Sequence, residues 1–226
     1  MTQLKNRSHY PITVDSVIFG YAEEELKVAL IQRKVEPFRG MWAIPGGFME
    51  GEETAEETAR RELKEETGID HIFLEQFHTF STAGRDPRGR TITIVFFALV
   101  DPEKYHLVAS EDAASAKWWP ANKIPLLAFG QQEIYTKALE ALRLALKTRP
   151  LAFELLPKAF TLTQLQKLYE QAFHTEIDKR NFRRKISKME FICSTGKKQG
   201  GEKHRPSLLY RYDAALYKKF SKENFF

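Results

Sequence analysis

The stretch Gly47–Ile69, GFMEGEETAEETARRELKEETGI, decides how the first two thirds of this chain are read. It contains a helix pattern: Ala55, Ala59 and Leu63 recur at i, i+4 and i+8 within Thr54–Thr67. Thr54 with Glu57 forms a capping box at its start, and Gly68 supplies the stop. Glu62, Glu65 and Glu66 then sit at i, i+3 and i+4, which at about 100° per residue puts three carboxylates within an arc of about 100°. Like charges so close together repel one another. An ordinary acidic helix would carry them as a solvated face, with Glu56–Arg60 and Glu57–Arg61 as surface pairs worth about a few tenths of a kcal/mol each.

The flanks argue against that ordinary reading. A Gly-Gly turn precedes the helix and Glu-Glu-Thr-Gly ends it. From Gly47 onward the residues fit G-x5-E-x7-R-E-U-x-E-E-x-G-U at Gly47, Glu53, Arg61, Glu62, Leu63, Glu65, Glu66, Gly68 and Ile69, and Trp42-Ala43-Ile44-Pro45 stands just upstream. This resembles the Nudix box of the Nudix hydrolase superfamily. The resemblance implies that Glu62, Glu65 and Glu66 are the metal and base carboxylates, with the Gly47 carbonyl a further ligand and Arg61 orienting the cluster. Clustered carboxylate oxygens are hard ligands suited to Mg²⁺ or Mn²⁺, and such a cation relieves their repulsion while bridging a pyrophosphate. Members often recruit one more carboxylate from a loop; Glu111 and Asp112, ahead of Trp118-Trp119, are candidates, and an exposed turn is an equal alternative.

Around the box, Ile12–Phe19 and Leu26–Arg33 read as two strands of a hairpin, Trp42–Ile44 as a third strand, and Thr91–Val100 and Lys117–Pro120 as later strands. Between them, the turn-rich segment Ala83–Arg90 carries Arg85, Arg88 and Arg90, planar donors for phosphate or ribose, with a solvated loop or a dimer contact as an equal alternative. Gln131–Lys147 is an amphipathic helix with Tyr135, Leu139, Leu142 and Leu146 on one side, and it runs into Thr148-Arg149-Pro150. A domain boundary is placed there, giving 1–150 and 151–226.

Charge changes at the same point. Residues 1–150 hold 19 Lys and Arg against 22 Asp and Glu, a net −3, whereas residues 151–226 hold 16 against 8, a net +8. A basic surplus confined to the last third suggests a polyanionic partner there. Thr161–Phe173 reads as a helix with Leu162, Leu165, Leu168 and Tyr169 buried, and Asp178 caps a second helix, Lys179–Met189. On that second helix Phe182, Ile186 and Met189 share one face, while Arg180, Arg184 and Lys188 form the other, flanked by Asn181 and Arg183. A strand Glu190–Ser194, a glycine-rich loop with Lys197, Lys198, Lys203 and Arg205, and a strand Leu208–Tyr212 complete the order of a winged helix-turn-helix. The loop is the wing, able to reach phosphates or a minor groove.

The fold class is therefore expected to be α+β: a Nudix α/β/α sandwich with a mixed sheet, then a winged helix-turn-helix. That combination resembles the Nudix-related transcriptional regulators, the NrtR family, as do Gly84–Gly89 and Phe153–Gln166. The resemblance implies a homodimer on palindromic operator DNA, a repressor whose Nudix domain senses ADP-ribose in control of NAD metabolism. Many members have a decayed box; this chain keeps the full carboxylate set, so hydrolysis of ADP-ribose is chemically possible. A pyrophosphatase whose basic domain aids only dimerisation or RNA contact is the alternative. A sugar-responsive regulator is a further one, disfavoured because it needs no metal carboxylates. The longest mostly apolar run, Ile92–Val100, is half of the roughly 20 residues of a membrane helix. With no apolar signal core at the start and a single cysteine, Cys193, a soluble cytoplasmic protein away from membranes is expected.

Overall fold

The computed structural model describes residues 9–109, 113–199 and 206–223. They group into two compact units, Met1–Gly20 with Lys27–Ala141 and Tyr21–Leu26 with Leu142–Phe226.

The first unit is built from β1 (Ile12–Ala22), β2 (Glu25–Arg33), β3 (Trp42–Ala43), β4 (Gly46–Phe48), α1 (Ala55–Thr67), β5 (Glu75–Phe80), β6 (Ile92–Val100), β7 (Ala113–Pro120), a 3-10 turn Ala128–Gly130 and α2 (Gln131–Thr148), which continues into the second unit. Its sheet runs β3-β2-β1-β6-β5, with β4 pairing β1 and β7 pairing β2. β1 and β6 are parallel, Ile12–Gly20 in register with Ile92–Val100, whereas the β1–β4, β2–β3, β2–β7 and β5–β6 ladders are antiparallel, so the sheet is mixed. Covered on both faces, β1 is buried nearly throughout. Val14 and Ile18 join Ala59 and Leu63 of α1 in one core, and the next residue, Phe19, lies 6.2 Å from the Tyr135 ring of α2. That alternation is the expected α/β/α sandwich.

Helix α1 begins as its sequence dictates. Thr54 accepts from the Glu57 amide, the Glu57 carboxylate accepts from the Thr54 amide at 2.8 Å, and Gly68 closes the helix at φ 75°. Because Glu57 is held in the cap, the surface pair Glu57–Arg61 does not form, while Glu56–Arg60 does at 2.9 Å. Gly46–Phe48, part of the expected Gly-Gly turn, is a short strand against Thr13–Asp15.

The second unit contains α3 (Ala152–Leu155), β8 (Phe160–Thr161), α4 (Leu162–Phe173), α5 (Lys179–Ile186), β9 (Ile192–Lys198), β10 (Leu208–Tyr212) and α6 (Ala214–Glu223), with a sheet β8-β10-β9. This is a winged helix. Phe153 stacks on Tyr212 at 4.5 Å and 6°, and Phe160 and Phe191 extend that aromatic core. The tip of the β1–β2 hairpin belongs to this unit: the Gln171 amide donates to the Glu24 carbonyl and accepts from the Leu26 amide, and Lys167 pairs with Glu24. Two expectations need correction. Helix α5 stops at Ile186, three residues before Met189, where Ser187 caps it. The strand expected at Glu190–Ser194 lies instead at Ile192–Lys198, because Gly196 at φ 71° is accommodated inside it, so Lys197 and Lys198 stand on a strand rather than in a loop.

Candidate functional site

Helix α1 offers its carboxylates to the turn that precedes it. Arg61 ties them together: Nε and Nη2 donate to Glu53 at 2.7 and 3.0 Å, Nη1 to Glu62 at 2.8 Å and Glu65 at 3.4 Å, and Nη2 to the Phe48 carbonyl at 3.1 Å. These bonds from Arg61, with one from Thr58, hold the Glu53 carboxyl low, at about 2. Burial pushes Glu62 up against the opposing Arg61 bond. Glu66 is pushed to about 8, first by burial, despite accepting the Gly46 amide at 2.8 Å, and the charges of Glu62 and Asp15 add to the rise. Glu65 is the exposed member. A Cβ at Gly47 would stand 2.0 Å from Glu62 Oε1, so a larger residue there would displace the Glu62 carboxylate from its present position.

The donor set fits a divalent cation: hard oxygens on Glu62 and Glu66, both destabilised as anions, beside a backbone turn. Among the described residues no three carboxylate, imidazole or thiol side chains already form a cage. A small cation that takes one or two carboxylates and completes its shell with phosphate oxygens and water needs none. Glu111 and Asp112 lie outside the described residues.

Next to the Gly46-Gly47 turn is a cavity of about 40 Å³ lined by Asp15, Arg33, Arg85, Asp86, Arg88 and Gln131, among others. Arg85 and Arg88 both line it, whereas Arg90 lies over the Tyr10 ring at 4.7 Å. Arg88 grips buried Asp86 through Nε and Nη2, the latter at 2.7 Å. Arg85 donates to Thr93 Oγ1 and to the Phe129 carbonyl. The guanidinium groups of Arg88 and Arg33 lie over the Phe129 ring at 4.1 and 4.6 Å. Burial, then the charge of Arg88, lowers the Arg33 pKa. Phe129 sits at φ 54°, a conformation that a bulky side chain adopts only when its surroundings impose it, and such strain gathers at ligand sites.

Six of these residues are not singled out by the sequence reading: Asp15, Arg33, Asp86, Thr93, Phe129 and Gln131. The available signal was Asp15, an acid in the middle of the buried strand ITVDSVIFGYA. Burial raises its pKa to about 6, against the lowering effect of the Gln131 hydrogen bond and the charges of Arg85 and Arg88.

In the second unit, α5 buries Phe182 and Ile186 and exposes Arg180, Asn181, Arg183 and Arg184, with Lys188 exposed just beyond it. Asp178 accepts from the Asn181 amide at 2.8 Å as N-cap, and Arg184 Nη2 donates to Asn181 Oδ1 at 2.9 Å, so side chains one turn apart are aligned. Lys197 and Lys198 are exposed on β9. Lys203 and Arg205 lie outside the described residues. No helix among the described residues is long and apolar enough to cross a membrane.

Comparison with known proteins adds an independent line. Residues 9–139 match the NUDIX domain model, and residues 152–212 match the NrtR DNA-binding winged helix domain. The chain is 35% identical over 213 residues to an ADPR responsive transcriptional repressor of Acinetobacter baylyi, covering 91% of this chain and 84% of that one. It is 41% identical over 126 residues to an ADP-ribose pyrophosphatase of Methanocaldococcus jannaschii, covering 56% and 71%. Its structure resembles that of NrtR from Shewanella oneidensis complexed with a 27mer DNA, with a TM-score of 0.71 at 31% identity, covering 92% and 95%.

Proposed function

We propose that this chain, which belongs to the NrtR family of Nudix-related transcriptional regulators, is a DNA-binding repressor gated by ADP-ribose or a related nucleoside diphosphate sugar. The observation that carries the proposal is the pairing, in one chain, of an arginine-lined cavity beside a Nudix carboxylate helix with a helix that exposes a basic face. Arg33, Arg85 and Arg88 supply the positive charge that a diphosphate requires. Arg180, Asn181, Arg183, Arg184 and Lys188 face the major groove, and Lys197 and Lys198, with Lys203 and Arg205, meet backbone phosphates. The protein is taken to act as a homodimer on operator DNA.

A second reading, hydrolysis of the effector, is favoured by the complete carboxylate set. Glu62, Glu65, Glu66 and the Gly47 carbonyl would hold Mg²⁺ or Mn²⁺, which when bound neutralises the pyrophosphate and lowers the pKa of a water. Arg61 holds Glu62 and Glu65 in place, and Glu66 fixes the turn through the Gly46 amide. Sensing and slow hydrolysis are compatible. A gel shift with DNA upstream of the gene's neighbours tests the proposal: a retarded band whose intensity changes with ADP-ribose supports it, and no retarded band in either condition rejects it.

A further inference from the structure

Asp15 places a carboxylate inside a strand whose neighbours Val14 and Ser16 are sealed from water, and its own residue is only 6% exposed. A buried carboxylate is costly unless ion-paired or well hydrogen-bonded. Its hydrogen bond here is from the neutral Gln131 amide, Nε2 to Oδ2 at 2.9 Å. The arginines that line the same cavity point their donors elsewhere, Arg88 to Asp86 and Arg85 to Thr93 and Phe129, while Arg85 Nε is buried without a partner.

The local scaffold does not need this charge. Gln131 links the strand to the turn by accepting from the Ile44 amide at 2.8 Å while donating to Asp15, and an asparagine oxygen at position 15 would accept that same bond. A negative group also repels phosphate, so the diphosphate of a ligand belongs with the arginines and not at Asp15. Asp15 lines the cavity, and its Oδ1 is left to accept from a neutral donor such as a hydroxyl group, which satisfies the carboxylate without adding a second charge.

We infer that Asp15 is a specificity-determining residue of this cavity, whose carboxylate accepts a hydrogen bond from a hydroxyl of the sugar carried on the ligand's diphosphate. The inference rests on the proposed nucleoside diphosphate sugar function and deepens it. Thr13 and Thr93, hydrogen-bonded to each other at 2.7 Å, line the same cavity and offer further hydroxyl partners.

The test is calorimetric titration of the full chain with ADP-ribose and with ADP, which lacks the second sugar. The unaltered protein should bind ADP-ribose at least about tenfold more tightly than ADP, a comparison that needs no variant. Asp15→Asn should weaken ADP-ribose binding about 10- to 100-fold, the range for a hydrogen bond to a charged group. ADP binding should not weaken, because the change removes a negative charge beside the phosphate-binding arginines. If the unaltered protein prefers ADP-ribose by less than that, or if the variant weakens both ligands alike or neither, the inference is overturned while the effector function stands. If the unaltered protein binds neither ligand, the effector function fails and the inference with it.

Discussion

On α1 the charged side chains are engaged with the fold: Arg61 contacts Glu53, Glu62 and Glu65, and Glu66 accepts the amide of the turn it faces. On α5 the apolar half is equally well buried, through Phe182 and Ile186, yet Arg180, Arg183 and Arg184 stand exposed. Both helices are short, capped and amphipathic. The difference lies in what each charged face must do. Reaction chemistry at a small diphosphate requires carboxylates fixed before the ligand arrives. A DNA surface supplies its own dense counter-charge, so the basic helix needs only a firm apolar seat and free donors. One helix carries its binding partners' positions within its own fold; the other waits for them.

The comparison breaks most readily on the acidic side. Glu65→Gln or Glu66→Gln should slow Mg²⁺-dependent release of AMP from ADP-ribose by about two orders of magnitude or more, the scale of several kcal/mol of charge stabilisation. Rates equal to those of the unaltered protein would reduce α1 to a solvated helix with an ornate ion pair network.

Next in size is the stability held against function at Asp15. Its folded pKa, about 6, exceeds the ordinary 3.8, with Arg85, Arg88, Asp86 and Glu66 as the charged groups around it. Between those values the folded state holds the proton that the unfolded chain has released, so stability falls as pH rises through that window and is level above it. At neutral pH the buried charge costs about 3 kcal/mol. Asp15→Asn should therefore be more stable than the unaltered protein at pH 7.5, with the gap closing toward pH 4 in urea melts. A gap independent of pH would show that the charge is not what burial opposes.

How much of this could be read in the sequence follows from distance along the chain. The Glu62, Glu65 and Glu66 face, its cap and its Gly68 stop are local, set by spacing within one helix, and the same holds for the two faces of α5. The cavity is assembled from afar: Gln131 reaches Asp15 across 116 positions, and Arg33 and Arg88 converge on Phe129 from different loops and strands. The arginine-rich turn shows donors without showing direction, so the sequence alone does not separate Arg90, which lies over the Tyr10 ring, from Arg85 and Arg88. Likewise the wing lysines looked like loop residues because Gly196 reads as a break, although its positive φ lies within β9.

On the basic side the expected effects are smaller. Arg184→Ala should lower the ratio of specific to non-specific DNA binding by about 1–3 kcal/mol, because a guanidinium aligned by Asn181 can read a base edge. Lys198→Ala should weaken both kinds of binding alike and flatten the salt slope by about one unit or less. Fluorescence titrations at two salt concentrations separate the two, and operator binding untouched by both changes would move the interface off α5 and β9.

The central claim is that the two units are energetically linked through one chain, and linkage is reciprocal: whatever factor ADP-ribose applies to operator affinity, operator DNA applies to ADP-ribose affinity. Calorimetric titration of ADP-ribose into the Glu65→Gln protein, free and then saturated with operator DNA, measures that factor without consuming the ligand. The account predicts that the two dissociation constants differ by at least about fivefold, the lower end of ordinary coupling. Equal constants, with DNA shown to remain bound, would contradict it.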